Sequence, residues 1–153
     1  MCLRSSVFFT MGLVAAAVPA AAANVSFTGA VANLCVLTIT TPGTLGMAAS
    51  GTGMSSEDTG GLPALLAVAA TGSSPSISFS APDLNGPSGS TANATKEISY
   101  SSPGGANQGY TSQASSYSMN RLIDTVTIKA RATNMSGFGT GTYGITSTAT
   151  CQQ

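Results

Sequence analysis

Residues 24–40 read NVSFTGAVANLCVLTIT. Val25, Phe27, Val31, Cys35, Leu37 and Ile39 are apolar and fall on odd positions, while Ser26, Thr28, Thr38 and Thr40 occupy even ones. Period-two alternation places one face of an extended chain in a core and the other in water. Gly29 and Asn33 interrupt the apolar phase. Asn33 would point inward in perfect register, so the pattern predicts a bulge or break near Ala32–Leu34. Seventeen residues also exceed the usual length of one strand, so two strands in tandem are expected.

Working outward toward higher numbers, Thr41, Pro42 and Gly43 form a turn before a short strand at Thr44–Met47. Ala48–Gly61 is rich in Gly, Ser and Thr and reads as a mobile loop carrying Glu57 and Asp58. Leu62–Ala70 reads two ways. Pro63 suits the start of a helix that Gly72 would close; equally, Ala64–Thr71 suits a buried strand. A hairpin with Ser76–Ser80 favours the strand. Asp83–Pro87 is a turn cluster continued by a loop to Asn93, and Glu97–Ser101 is a short strand. Ser102–Ser118 reads as a long polar loop with at most one weak strand. In Leu122–Thr133, Val126, Ile128, Ala130 and Ala132 share an inward face. Gly141–Cys151 is a final strand with Tyr143, Ile145, Ala149 and Cys151 on one side. Recurrent short strands separated by turn residues, with no convincing helix, predict an all-β fold: an antiparallel, Ig-like β-sandwich.

Toward lower numbers, one positive residue (Arg4), the apolar run Val7–Val18 and the small residues up to Ala23 read as a secretory signal peptide, residues 1–23. A membrane anchor competes for the same stretch. That stretch is short of the ~20 apolar residues of a span, rich in alanine and without a basic stop, so no stable span is expected after cleavage. The remainder, residues 24–153, is one domain. Export places Cys35 and Cys151 in an oxidising compartment, and both fall on the inward phase of their strands. A disulfide between them is expected, with two buried thiols as the alternative.

Charged residues are 7% of the chain and histidine is absent. Beyond the leader, four bases (Lys96, Arg121, Lys129, Arg131) face five acids (Glu57, Asp58, Asp83, Glu97, Asp124), which gives no footprint for nucleic acid. Without histidine there is neither the commonest general base nor the commonest zinc ligand. No Ser-x-x-Lys occurs, and Glu57 and Asp58 are adjacent, a poor geometry for a glycosidase pair. Asp83 and Asn85 have the spacing of part of a calcium loop but lack its later acidic ligands. No enzyme activity, cofactor or metal is therefore expected. Asn24, Asn93 and Asn134 each begin an Asn-x-Ser/Thr sequon. Tyr110 and Tyr117, with Tyr100 nearby, are the candidate ligand residues: a sugar-stacking platform between the loops Ala48–Gly61 and Ser102–Ser118.

The stretch from Val25 to Val36 resembles the opening of a chaperone–usher pilin: an aromatic, a glycine, then aliphatics leading to a cysteine, with a short strand like Thr44–Gly46 soon after. The stretch Asp124–Ala132, followed by Gly141, Thr142 and Tyr143, is similar to the last two strands of such pilins and of spore coat protein U-like secreted domains. The resemblance implies a non-enzymatic structural subunit of a bacterial surface fibre, pilus or coat, exported through the periplasm and associating by β-strand pairing. Its partners would be further copies or other surface subunits, with a periplasmic chaperone. The implied contact elements are Val25, Phe27 and Val31, as a donated or edge strand, and Tyr143 and Ile145 within Thr142–Ala149. Two features differ from the pilin pattern: the cysteines lie far apart in sequence, and little chain precedes the first strand after cleavage at Ala23. A monomeric secreted carbohydrate-binding module is the alternative.

Overall fold

The alternating segments form strands that stack in two layers. The computed structural model describes residues 26–72 and 75–153; the expected leader and Val25 lie outside the described residues. In chain order the strands are β1 (Cys35–Thr41), β2 (Gly46–Met47), β3 (Gly53–Ser55), β4 (Ala64–Ala70), β5 (Ser76–Phe79), β6 (Asp83–Asn85), β7 (Thr95–Ser101), β8 (Asn107–Thr111), β9 (Ser115–Ser118), β10 (Ile123–Thr133), β11 (Gly144–Thr146) and β12 (Ala149–Gln152). All pairings are antiparallel, as expected of an all-β sandwich.

β10 is the spine of the larger sheet. Its first half pairs with β4, and β4 in turn with β1. Its second half pairs with β3, which carries β2, while β7 lies along its other side and carries β8. The opposing layer is β12-β5-β9, continued by the β11-β6 pair. Ser80 joins these two pieces: its amide donates to the Thr148 carbonyl at 2.9 Å, and its hydroxyl accepts from the Thr148 amide. Between the layers pack Leu66, Val68, Ile98, Tyr100 and Val126 from one side and Ile77 and Phe79 from the other. The Phe79 and Tyr100 rings are 4.4 Å apart between centroids.

Val126 and Ala132 are buried as their alternation requires, and Ile128 and Ala130 pack against the core. Asp124 shares that inward phase. It is buried with no cation paired to it among the described residues, and its carboxylate accepts from the Ser102 hydroxyl, the Gly104 amide and the Thr125 amide. These bonds replace lost hydration and stitch the β7–β8 connection to β10.

The disulfide forms between Cys35 and Cys151, with Cα atoms 6.3 Å apart, and joins β1 to β12 across the two layers.

Several boundaries differ from the sequence expectation. The strand expected from Asn24 begins only at Cys35; residues 26–34 belong to no strand, and Phe27 is solvent-exposed instead of sharing the buried face of Cys35. Alternation records the capacity to pair, but β4, which pairs with β1, ends at Ala70, so the residues before Leu34 run past the end of that ladder. Leu62–Ala70 is strand, yet β4 and β5 sit in different layers and form no hairpin. The expected mobile loop Ala48–Gly61 contains β3, whose Met54 is buried against Leu84 and Ala132. The turn cluster at Asp83 is strand β6, paired with β11. The Ser102–Ser118 loop contains two strands, β8 and β9, and the final strand breaks into β11 and β12 around Ser147 and Thr148.

Candidate assembly groove

The sandwich is closed by packing on one side and open on the other. Ile39 in β1, Leu66 in β4 and Val126 in β10 form one cross-strand row on the inner face of the large sheet. Leu66 is 2% exposed and Val126 0%, but Ile39 is 56% exposed. An inward-pointing isoleucine left in water marks a core with nothing over its border. Leu62, beyond the end of β1, is likewise exposed.

Ile39, Leu62 and Leu66 line a groove of about 600 Å3 between the layers. One wall is built by Leu37 and Ile39 of β1 and by Leu62 and Leu66, and the other by Ile145 and Ala149; Phe79, Ile98 and Ile128 form the floor. Tyr143 stands at the groove with its hydroxyl donating to the Gly139 carbonyl at 2.9 Å and its ring edge-on to Phe138. Of the terminal-strand residues singled out by sequence, Tyr143 and Ile145 thus both line the groove.

Both rims are edge strands. Among the described residues β1 pairs only with β4, β12 only with β5, and β11 only with β6. Each leaves a row of backbone N–H and C=O groups free for another chain. Apolar walls with two free edges suit an extended segment with alternating apolar side chains.

Residues 26–34 are a segment of that kind, here called the arm. Phe27 and Val31 are 93% and 80% exposed, and Leu34 is exposed as well. No arm residue lines the groove. The arm is held at its base. The Thr71 hydroxyl donates to the Ala32 carbonyl at 2.7 Å and accepts from the Leu34 amide at 2.9 Å, and the Thr71 amide donates to the Leu34 carbonyl at 2.8 Å. The Gln153 side chain donates to that same carbonyl.

Tyr110 and Tyr117, expected to share a sugar platform, are not brought together. Tyr110 lies on the outer face of the large sheet, with the Arg131 guanidinium 4.0 Å from its ring centroid and its hydroxyl donating to Glu57. Tyr117 packs against the core, its ring 5.9 Å from that of Tyr100. A shallow hollow of about 190 Å3 beside Tyr110 is lined by Ser99, Gln108, Thr127 and Lys129 among others.

Four of the nine charges beyond the leader meet on this outer face, as Lys129–Glu57 at 2.6 Å and Arg131–Glu97 at 2.7 Å. Hydrogen bonds from Lys129 and then Tyr110 hold the Glu57 carboxyl below its ordinary range, and the same Glu57 bond holds Lys129 above its own. Partial burial, then the Glu57 carboxylate, raises Tyr110. Burial, followed by the Asp124 charge, pushes Tyr117 up to about 12. The exposed ion pairs are screened by water and fix side chains more than they stabilise the fold. Asn134, the third sequon residue, is buried and donates to the Ser90 carbonyl.

Among the described residues no group of three or more His, Cys, Asp or Glu is placed to hold a metal ion, and no helix is long and apolar enough to cross a membrane. The sequence reading missed Ile39 as a groove residue and Thr71 as the grip on the arm. Ile39 carried a signal, as the one large aliphatic on the inward phase near the far end of β1; Thr71 carried none. No protein-family model matches the chain, and no curated protein or solved structure is significantly similar to it.

Proposed function

We propose that this chain is an exported, non-enzymatic assembly subunit of a bacterial surface fibre, pilus or coat, which accepts a β-strand from a neighbour into its groove and offers its own arm to the next. The observation that carries this reading is the row Ile39–Leu66–Val126, in which the core is complete at two positions and bare at the third. The arm supplies matching chemistry. In an extended strand Val25, Phe27 and Val31 would share one face and lie along the apolar walls while the backbone bonded to the free edges. With the leader removed after Ala23, about eight residues ahead of the Thr71 contacts would be free to span the groove, a length of roughly 26 Å at the rise of an extended strand. Other surface subunits would use the same groove, and a periplasmic chaperone would cover it until assembly.

The full chain, expressed in a bacterial host and recovered after export, tests this by sedimentation and thermal melting. Concentration-dependent rods that resist denaturant, and that disappear when residues 24–31 are deleted, are the expected result. A protein that stays monomeric at high concentration and melts cooperatively with its groove empty would sink the proposal. The carbohydrate-binding alternative has one foothold, the hollow beside Tyr110. It would be favoured by glycan binding that is lost on Tyr110→Ala and kept on deletion of the arm.

A further inference from the structure

We propose that Thr71 is the positioning residue that keeps the arm out of its own groove and so commits it to a second copy of the chain; this rests on the assembly reading above. An arm next to an empty groove faces a choice, because the segment whose alternation suits the groove belongs to the same molecule. Insertion within one molecule is concentration-independent and would outcompete a neighbour unless geometry forbids it.

The geometry does forbid it. β1 has one side on β4 and its other edge on the groove. For the arm to reach that groove, the chain must reverse direction just before β1, and a tight reversal needs at least two residues free to adopt turn geometry. The residues available are Ala32, Asn33 and Leu34. Thr71 holds Ala32 and Leu34 through its hydroxyl and grips Leu34 again through its amide, while Gln153 holds the Leu34 carbonyl. The next residue, Cys35, is fixed by its disulfide. Thr71 lies at the end of β4, on the side of β1 away from the groove, and its pairing with Leu34 extends the β1–β4 ladder by one step, while Gln153 reaches the Leu34 carbonyl from just past β12.

The test places a photo-crosslinking benzoyl-phenylalanine at position 27 of the full chain and compares adducts within one molecule with adducts between molecules. The unaltered clamp should give intermolecular adducts. Thr71→Val keeps the branched shape and removes both hydroxyl bonds; it should raise the ratio of intramolecular to intermolecular adducts by about tenfold, the scale of one to two hydrogen bonds. Thr71→Ser, which restores the hydroxyl, should return the ratio to its starting value. Gln153→Ala, on the exposed end of the clamp, should shift it in the same direction by less, and it serves if Thr71→Val folds poorly. Amide exchange should quicken at Leu34 and stay slow at Val126.

An unchanged ratio in both Thr71→Val and Gln153→Ala would overturn the clamp, as would predominantly intramolecular adducts with Thr71 intact. Absence of any adduct in all variants would overturn it too, since a released arm would then have no affinity for the groove. Intramolecular adducts in Thr71→Val, with none of either kind when Thr71 is intact, would uphold the clamp and reject assembly between copies.

Discussion

The Gly104 amide donates to Oδ1 of Asp124 at 3.0 Å, tying the start of the β7–β8 connection to a buried carboxylate twenty residues further along the chain. Asp124 also accepts from the Ser102 hydroxyl at 2.5 Å. A Cβ on residue 104 would overlap the carboxylate, so only glycine allows this approach. Gly104→Ala is expected to destabilise the fold by about 2–3 kcal/mol, the range of a buried hydrogen-bond network broken by a steric clash. A lowered urea midpoint with an unchanged slope would be the observation.

Replacing Cys35 and Cys151 together by alanine removes a crosslink spanning 116 residues of sequence. On the chain-entropy view this costs about 4–5 kcal/mol, by enlarging the conformational freedom of the unfolded chain. Urea unfolding of the oxidised protein and the double variant reads the difference directly. Equal midpoints would mean that the unfolded chain is already restricted without the bond.

Ile39→Asp puts a charge on the groove wall at a position already half in water. The isolated fold should lose about 1 kcal/mol or less. Strand insertion should fail, because the carboxylate would be desolvated by an incoming apolar face. A normal melting temperature combined with the loss of assembled material in sedimentation is the expected pair of results.

The phenol of Tyr117, ordinarily near 10.0, is pushed up to about 12 by burial and by Asp124. The folded state therefore holds that proton more tightly than the unfolded chain does. The resulting stabilisation is complete below pH 10 and is lost as pH climbs toward 12. Tyr110, raised by its own partial burial and by Glu57, adds in the same direction. Melting temperatures should fall over this interval, and Tyr117→Phe should flatten the decline without abolishing it.

The fold was most legible where a strand turns one face to the core over many residues. Leu122–Thr133 alternates because Val126 and Ala132 are packed while Arg131 meets water, and its reading survives nearly residue for residue. Cys35 and Cys151 were readable for the same reason. Legibility failed in the serine-rich stretches. β9 presents Ser116 and Ser118 outward with only Tyr117 between them on the core side, too little contrast to separate strand from loop. β3 and β6 are three residues each, with a single buried side chain, Met54 or Leu84, and no pattern can repeat over that length. The groove was half visible. Tyr143 and Ile145 stood out by alternation, but whether anything covers Ile39 depends on which strands pair. The grip of Thr71 on Ala32 and Leu34 crosses more than thirty residues of sequence and has no local signature.

The covalent link between β1 and β12 has a mechanical meaning. Tension on the arm reaches Cys35 one residue after Leu34, and there it passes through a sulfur–sulfur bond into the opposite layer. The hydrogen bonds of β1 to β4 are thereby spared from being unzipped one after another. In a string of subunits, each receiving a strand between β1 and β12, the same bond would brace the two walls that grip it. Such a thread would stretch by shearing whole strands past one another, the stiffer of the two ways a β-sheet can be pulled apart.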